Sequence, residues 1–97
     1  MAFTFDIREV FVIEADSMVH PATILVGELL DGALRRRETV AVPLDNGSTW
    51  PAWIMDIECR RQSRSSVAEP GMIAIKFHGH APPGRRVTPG LMQNFGE

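Results

Sequence analysis

The residues of this chain with the clearest chemical potential are arginines, which are gathered in three short clusters. The chain has ten Lys and Arg residues among 97, and eight of these lie in the segments RRR, RRQSR and RR. A guanidinium group binds phosphate or carboxylate through paired hydrogen bonds, and it also stacks on aromatic rings. The clusters therefore predict contact with an RNA backbone or with an acidic protein surface, unless they are only solvated turns. The candidate binding residues are Arg35, Arg36, Arg37, Arg60, Arg61, Arg64, Arg85 and Arg86.

Acidic residues are concentrated where the arginine clusters are absent. Residues 1–31 contain six acids and a single basic residue, Arg8, and the whole chain has a formal net charge of −2. This charge gives no general attraction to nucleic acid or to an anionic membrane, so RNA would need a local basic patch. An acidic first third with basic later turns suits electrostatic pairing between protein molecules. We therefore expect a protein partner or self-association, with RNA as the alternative partner.

Two tryptophans, Trp50 and Trp53, flank Pro51 at the start of an apolar segment. In a regular strand they would face opposite sides, because successive side chains alternate. One interpretation places both in the core of a small fold that has no tyrosine. The other makes one of them an exposed anchor, since tryptophan is favoured at interfaces. On the second interpretation Trp50 joins the arginines as a candidate binding residue for protein or RNA.

The histidines and the single cysteine are residue types that can act as metal ligands or catalytic groups. His78 and His80 are two residues apart, and from the end of a strand they would point the same way toward a metal. A third ligand would have to come from a distant segment, and no carboxylate partner is apparent, so we predict no metal site. Cys59 has no local motif that pairs it with a histidine as nucleophile and base. We expect a chain that is not an enzyme, with no catalytic residues and no cofactor.

The length and composition set the remaining limits. Ninety-seven residues with 44% hydrophobic content predict a single domain spanning residues 1–97, with residues 93–97 as a short C-terminal tail. No apolar run approaches the roughly 20 residues that cross a bilayer, so no membrane partner is expected. The N-terminus does not resemble a signal peptide. A lone cysteine forms no internal disulfide and favours a reducing compartment, so we expect a cytoplasmic location.

Six segments of the chain have strand-like patterns, and most of the connections between them are rich in glycine, proline or charged residues. Apolar residues in period two, many of them β-branched or aromatic, are typical of strands, and no segment has helical spacing. In the first segment the alternation shifts at Glu9–Val10, so we expect a bulge there, with Phe11 and Ile13 continuing the apolar pattern. Together these features predict an all-β fold, a small six-stranded antiparallel closed β-barrel. The segments are residues 3–13, 22–30, 39–44, 50–59, 72–79 and 86–93.

The order of glycines and aliphatic residues along these segments carries a resemblance to a known family. The stretches are FTFDIREVFVI, GELLDGAL, TVAV, AWIMDIE, AEPGMIAIKFHG and RVTPGLM, which extend from about Phe3 to Met92. In this order they resemble the second domain of translation GTPases of the elongation factor Tu type, the β-barrel that follows the nucleotide-binding domain. The resemblance implies a translation-factor domain 2-like barrel. It also raises RNA binding, at tRNA or the ribosome, as the alternative function.

The chain differs from the family pattern at three points. Arg37 stands where the family usually has a turn glycine, so the bend is made in another way or by a residue that does not favour positive φ. The loop EADSMVHPAT is longer than the family's short turn. The chain has only one lysine, Lys76, and no glycine-rich phosphate loop, so we expect no GTP binding.

Overall fold

A computed structural model describes residues 3–15, 20–59, 62–65, 67–68 and 70–94. Within these ranges the chain forms nine β-strands and no helix, and so none of the described segments is a helix that could cross a membrane. The strands are β1 (Phe3–Ile13), β2 (Ala22–Gly32), β3 (Leu34–Arg35), β4 (Thr39–Pro43), β5 (Thr49–Cys59), β6 (Gln62–Ser65), β7 (Val67–Ala68), β8 (Gly71–His78) and β9 (Gly90–Asn94).

Six of these strands form a nearly closed antiparallel barrel, which confirms the prediction of an all-β fold with a six-stranded antiparallel barrel. They pair in the order β4-β5-β8-β2-β1-β9, and every pair is antiparallel. The two end strands, β4 and β9, approach each other. Just beyond β4, Leu44 forms a single bridge to Val87, and the N–H of Asp45 donates to the carbonyl oxygen of Arg86. These contacts bring the two ends of the sheet together, so the barrel has one incompletely paired seam.

Three short strands differ from the prediction, which treated their residues as turns or polar connection. β3 pairs with β7, and β6 pairs with the end of β5. Strands of two to four residues are too short to show a period-two pattern, so main-chain pairing here leaves no sequence signal. The last strand also begins at Gly90 rather than at residue 86, because Pro89 has no N–H to give to a ladder. It ends at Asn94, inside the expected tail.

The core is formed by inward side chains from all six barrel strands. Phe5 and Phe77 are fully buried, and aliphatic residues from the other strands surround them. In β5 a register shift lies between Ile54 and Asp56, so Ile54 and Ile57 both face the core. In a regular strand Ile54 and Ile57, three residues apart, would lie on opposite faces. The bulge explains the difference, because one extra residue in a strand reverses the faces that follow it.

The expected irregularity in β1 is present, but its effect on the side chains differs from the prediction. The register with β2 shifts between Ile7 and Glu9. After this shift Val10 packs against the core, whereas Phe11 is 49% exposed. Phe11 therefore lies on the outer face of the barrel instead of continuing the inward pattern. The same region has a close backbone approach, since a Cβ on Gly27 would overlap the carbonyl oxygen of Asp6.

Candidate functional site

The first arginine cluster lies at the turn that leads into β4. Arg35, Arg36 and Arg37 are all exposed. The Nε atom of Arg36 lies 4.0 Å from Oδ1 of Asp56, at the limit of an ion pair. Arg37 has a φ of 69°, and its N–H donates to the carbonyl oxygen of Ile54. This arginine therefore makes the bend with a backbone conformation that glycine usually supplies.

The second described cluster lies beyond the other end of β4. Arg85 and Arg86 are exposed, and Nη1 of Arg85 lies 4.0 Å from Oδ1 of Asp45. Arg85 also donates its N–H to the carbonyl oxygen of Pro82, which closes the turn before it. This cluster is thus held beside the residues that follow β4.

The two clusters lie at opposite ends of β4. Arg37 precedes Thr39, the first residue of β4, and Asp45 follows Pro43, its last residue. Four steps of about 3.3 Å separate the ends of that strand, so the clusters are more than about 13 Å apart along it. Of the third cluster, Arg60 and Arg61 lie outside the described residues, and only the backbone of Arg64, in β6, is described.

The two tryptophans do face opposite sides of β5, and it is Trp53 that is exposed. Trp50 is 8% exposed, and its ring centroid lies 6.0 Å from that of Phe77. Trp53 is 43% exposed. The candidate binding residue Trp50 therefore lies in the core, where its ring is not available to a partner, and the exposed anchor position belongs to Trp53.

An apolar area covers the outer face of three neighbouring strands, β1, β2 and β8. Phe11 lies opposite Ile24 across the β1–β2 pair, and Val26 lies opposite Ala74 across the β2–β8 pair. Met72 is two residues before Ala74 on the same face. All five are at least partly exposed. We call this set, Phe11, Ile24, Val26, Met72 and Ala74, the outer patch.

Charged residues surround the outer patch, and most of them are acidic. Glu28 lies opposite Met72, and its carboxylate accepts from Nη2 of Arg8 at 2.9 Å. Glu9 lies opposite Val26 on one side, and Glu58 lies opposite Ala74 on the other. A shallow groove of about 250 Å³ runs between Val26, Ala74 and the end of β5. Lys76, which lies opposite Ile24 on β8, is on the same face. The outer patch is therefore an apolar surface whose rim is mainly acidic but includes the basic residues Arg8 and Lys76.

A second feature is a pocket of about 360 Å³ at the seam of the barrel, which we call the gap pocket. β1 pairs with β9 only from Phe3 to Ile7, so the second half of β1 has no described partner on that side. Val10 and Val12 form one apolar wall, and Ala81 and Val87 lie on the other side. Arg85 and Arg86 also line the pocket.

Two polar residues at the gap pocket are held by the backbone around them. Thr23 is 2% exposed, and its hydroxyl donates to the carbonyl oxygen of Gly79 at 2.9 Å. Nε2 of His80 lies 2.7 Å from the carbonyl oxygen of Ile13 and therefore acts as the donor. These bonds fasten the start of the segment 79–87 to β1 and β2. The sequence did not single out this pocket, although the phase shift in β1 and Pro89 both mark where strand pairing stops.

The described residues contain no group of three or more His, Cys, Asp or Glu side chains that could hold a metal ion. His78 is exposed at the end of β8, while His80 is turned onto Ile13 after Gly79, whose φ is 83°. The two histidines are therefore not successive residues of one strand face. Cys59 is a half-buried free thiol.

Comparison with known proteins gives no relative from which a role could be transferred. No family model, no curated protein and no solved structure matches this chain.

Proposed function

We propose that this chain is a non-catalytic binding module that binds a protein through the outer patch. The observation that carries the proposal is the exposure of Phe11 beside apolar residues of two adjacent strands. Large contiguous apolar areas on a small domain mark interaction surfaces, and a buried aromatic anchor is a common centre of such interfaces. The acidic rim favours a partner whose own apolar surface is bordered by basic residues.

The partner can be another protein or a second copy of this chain. The exposed arginines at each end of β4 are two separate basic sites, either of which the acidic rim of another copy could meet. Made once between different surfaces, such a contact builds rings or chains, whereas a two-fold dimer would need both surfaces in one reciprocal interface.

We also propose that the barrel is of the type found as the second domain of translation GTPases. The support is the order of the six barrel strands along the sequence, together with the turn before β4, where Arg37 takes the positive φ of the family's glycine. On this proposal the chain is a free-standing barrel of that type, which has no GTP site of its own and acts in the cytoplasm.

RNA binding is the alternative proposal, and it has less support. The affinity for RNA rises with the number of phosphates that cationic side chains neutralise along its backbone. The described arginine clusters, however, lie at opposite ends of β4. Arg36 and Arg85 also each face a carboxylate. If RNA is the partner, its retention should fall with salt and should be lost when Arg35, Arg36 and Arg37 are replaced by alanine.

The proposal is tested by capture of partners from the native cell extract with matched variants. Phe11→Ser removes the exposed aromatic ring, and Ala74→Glu places a charged side chain in the middle of the outer patch. Leu91→Ser is the control, because Leu91 is 61% exposed on β9, outside the patch. Each capture is repeated after treatment with ribonuclease, and sedimentation of the purified chain reports self-association.

We expect a protein that is retained by the wild type and by Leu91→Ser, is lost with both patch variants, and is unaffected by ribonuclease. Concentration-dependent self-association of the chain would equally support the proposal if Leu91→Ser retains it and both patch variants lose it. Retention that ribonuclease abolishes would favour the RNA alternative. The proposal is wrong if no captured protein is lost specifically with the two patch variants and if self-association of the chain is also the same in these variants and in Leu91→Ser.

A further inference from the structure

The edge of β1 that borders the gap pocket has no partner strand among the described residues. β1 continues to pair with β2 as far as Ile13, but its pairing with β9 ends at Ile7. In an antiparallel strand about every second residue directs its N–H and C=O toward each neighbour. Alternate main-chain groups of residues 9–12 therefore face the gap, and no described strand receives them, whereas the carbonyl oxygen of Ile13 accepts from His80. An unpaired edge of this kind is a template for an added strand.

The gap pocket as a whole has room for a single large side chain with some adjoining main chain. Its volume of about 360 Å³ lies at the lower end of the range for small-molecule sites. Val10 and Val12 project from the same strand whose edge is unpaired, so a chain added there would place side chains beside them. Val87 and Ala81 would enclose an aliphatic side chain from the opposite direction.

The gap pocket also has a cationic part, formed by Arg85 and Arg86. Nη1 of Arg85 lies 4.0 Å from the carboxylate of Asp45. No described carboxylate forms an ion pair with Arg86. The other groups that line the pocket include no acid. An anion at this site would therefore meet cations without an opposing carboxylate in the lining, and a carboxylate suits the fork of a guanidinium group.

We infer that the gap pocket binds the C-terminal end of an extended polypeptide. The main chain of that segment lies along the unpaired edge of β1, its last aliphatic side chain occupies the space between Val12 and Val87, and its terminal carboxylate meets Arg86. A chain end of this kind satisfies all three features at once: the strand edge, the apolar wall and the cations. A free aliphatic acid would use the apolar wall and the arginines but would leave the strand edge unpaired.

This site is separate from the outer patch, since Val10 and Val12 face the opposite side of β1 from Phe11. The inference adds a second protein-binding surface to the proposed function and does not depend on the first. Variants of the outer patch and variants of the gap pocket therefore test different statements, and either can fail alone.

The test is a nuclear magnetic resonance titration of the ¹⁵N-labelled chain with short peptides that end in Val, Leu or Phe. Each peptide is prepared with a free C-terminal carboxylate and as the C-terminal amide, and octanoate is titrated in parallel. Arg86→Gln removes the guanidinium group with which no described carboxylate forms an ion pair. Arg36→Gln is the matched control, an exposed arginine at the other end of β4.

At least one free-acid peptide should shift the backbone N–H signals of residues 9–13 and 85–87. This peptide should bind about tenfold more tightly than the same peptide with an amidated C-terminus, which is the scale expected for a hydrogen bond to a charged group. Arg86→Gln should remove this preference, and Arg36→Gln should retain it. Equal binding of acid and amide, or no shifts at these residues with any peptide at millimolar concentration, would overturn the inference. Octanoate binding more tightly than every peptide would overturn it too, and would assign the pocket to free aliphatic acids.

Discussion

Arg37 donates its main-chain N–H to the carbonyl oxygen of Ile54 over 2.8 Å, and Ile54 donates its own N–H to the carbonyl oxygen of Glu38 over 2.9 Å. This pair of bonds joins the turn before β4 to the middle of β5. Arg37 reaches this geometry with a φ of 69°, and it is the one non-glycine residue with positive φ in the described part of the chain. The hydrogen bond thus holds an arginine in a conformation that its Cβ disfavours.

Replacing Arg37 by glycine should stabilise the fold. A left-handed conformation costs an L-residue about 1 kcal/mol or more, whereas glycine adopts it without steric cost, and its greater entropy in the unfolded chain offsets part of the gain. We expect an increase in the free energy of unfolding of about 0.5–1 kcal/mol, measured by urea denaturation. Arg36→Gly is the control and should lower stability, because Arg36 is not at positive φ. A less stable Arg37→Gly variant would contradict this explanation of the turn.

Gly27→Ala should be among the most destabilising single substitutions in the chain. The added Cβ would overlap the carbonyl oxygen of Asp6 and press on the ring of Phe5, and a backbone atom in a paired strand cannot move aside cheaply. We expect a loss of more than about 3 kcal/mol in unfolding free energy, or failure to fold.

Gly47→Ala provides the comparison for Gly27→Ala. No atom lies within 4 Å of a Cβ at Gly47, but its φ is 86°, so only the conformational strain of about 1 kcal/mol applies. Equal effects of the two substitutions in thermal unfolding would show that the close approach at the β1 bulge is absent.

Thr23→Val should weaken the fold although it preserves the shape of the side chain. The hydroxyl of Thr23 is buried and donates to the carbonyl oxygen of Gly79, which would lose this donor. We expect a cost of about 1–2 kcal/mol in urea denaturation. Thr39→Val, at an exposed position of β4, should change stability by less than about 0.5 kcal/mol. A neutral Thr23→Val variant would mean that this bond does not fasten the segment 79–87.

The two tryptophans should differ in both stability and fluorescence. Trp50→Ala is expected to cost about 3 kcal/mol, since it empties a core position against Phe77, while Trp53→Ala should cost less than about 1 kcal/mol. In Trp53→Phe the remaining emission should be blue-shifted and resistant to iodide quenching. Trp50→Phe should leave the emission accessible to iodide, and the reverse pattern would place the wrong tryptophan in the core.

The sequence was sufficient to predict the barrel strands but not the details of their faces. The six barrel segments are long enough to show period-two alternation, so their existence and all-β character could be predicted. The bulges in β1 and β5 each insert a residue, and the register that follows depends on the partner strand rather than on local sequence. For this reason the outward position of Phe11 and the inward positions of both Ile54 and Ile57 were not predicted.

The candidate sites were less predictable than the fold, for the same physical reason. Arginine clusters are visible in a sequence, but their separation by the length of β4 follows from strand pairing alone. The gap pocket depends on where the pairing of β1 with β9 ends, which is a relation between residues more than eighty positions apart. Only its markers, the phase shift in β1 and Pro89, could be read locally.

The central claim is that these strands close into a barrel whose seam is paired at Leu44 and Val87 and open beside the second half of β1. The most direct measurement is a set of nuclear Overhauser contacts between backbone protons of the labelled chain. We predict cross-strand contacts between Leu44 and Val87 and between Phe3 and Asn94. We predict no backbone contacts of the kind that paired strands give between residues 9–13 and residues 85–89. Absence of the Leu44–Val87 contact in spectra that show the β1–β2 contacts would contradict the account, because the sheet would then be open.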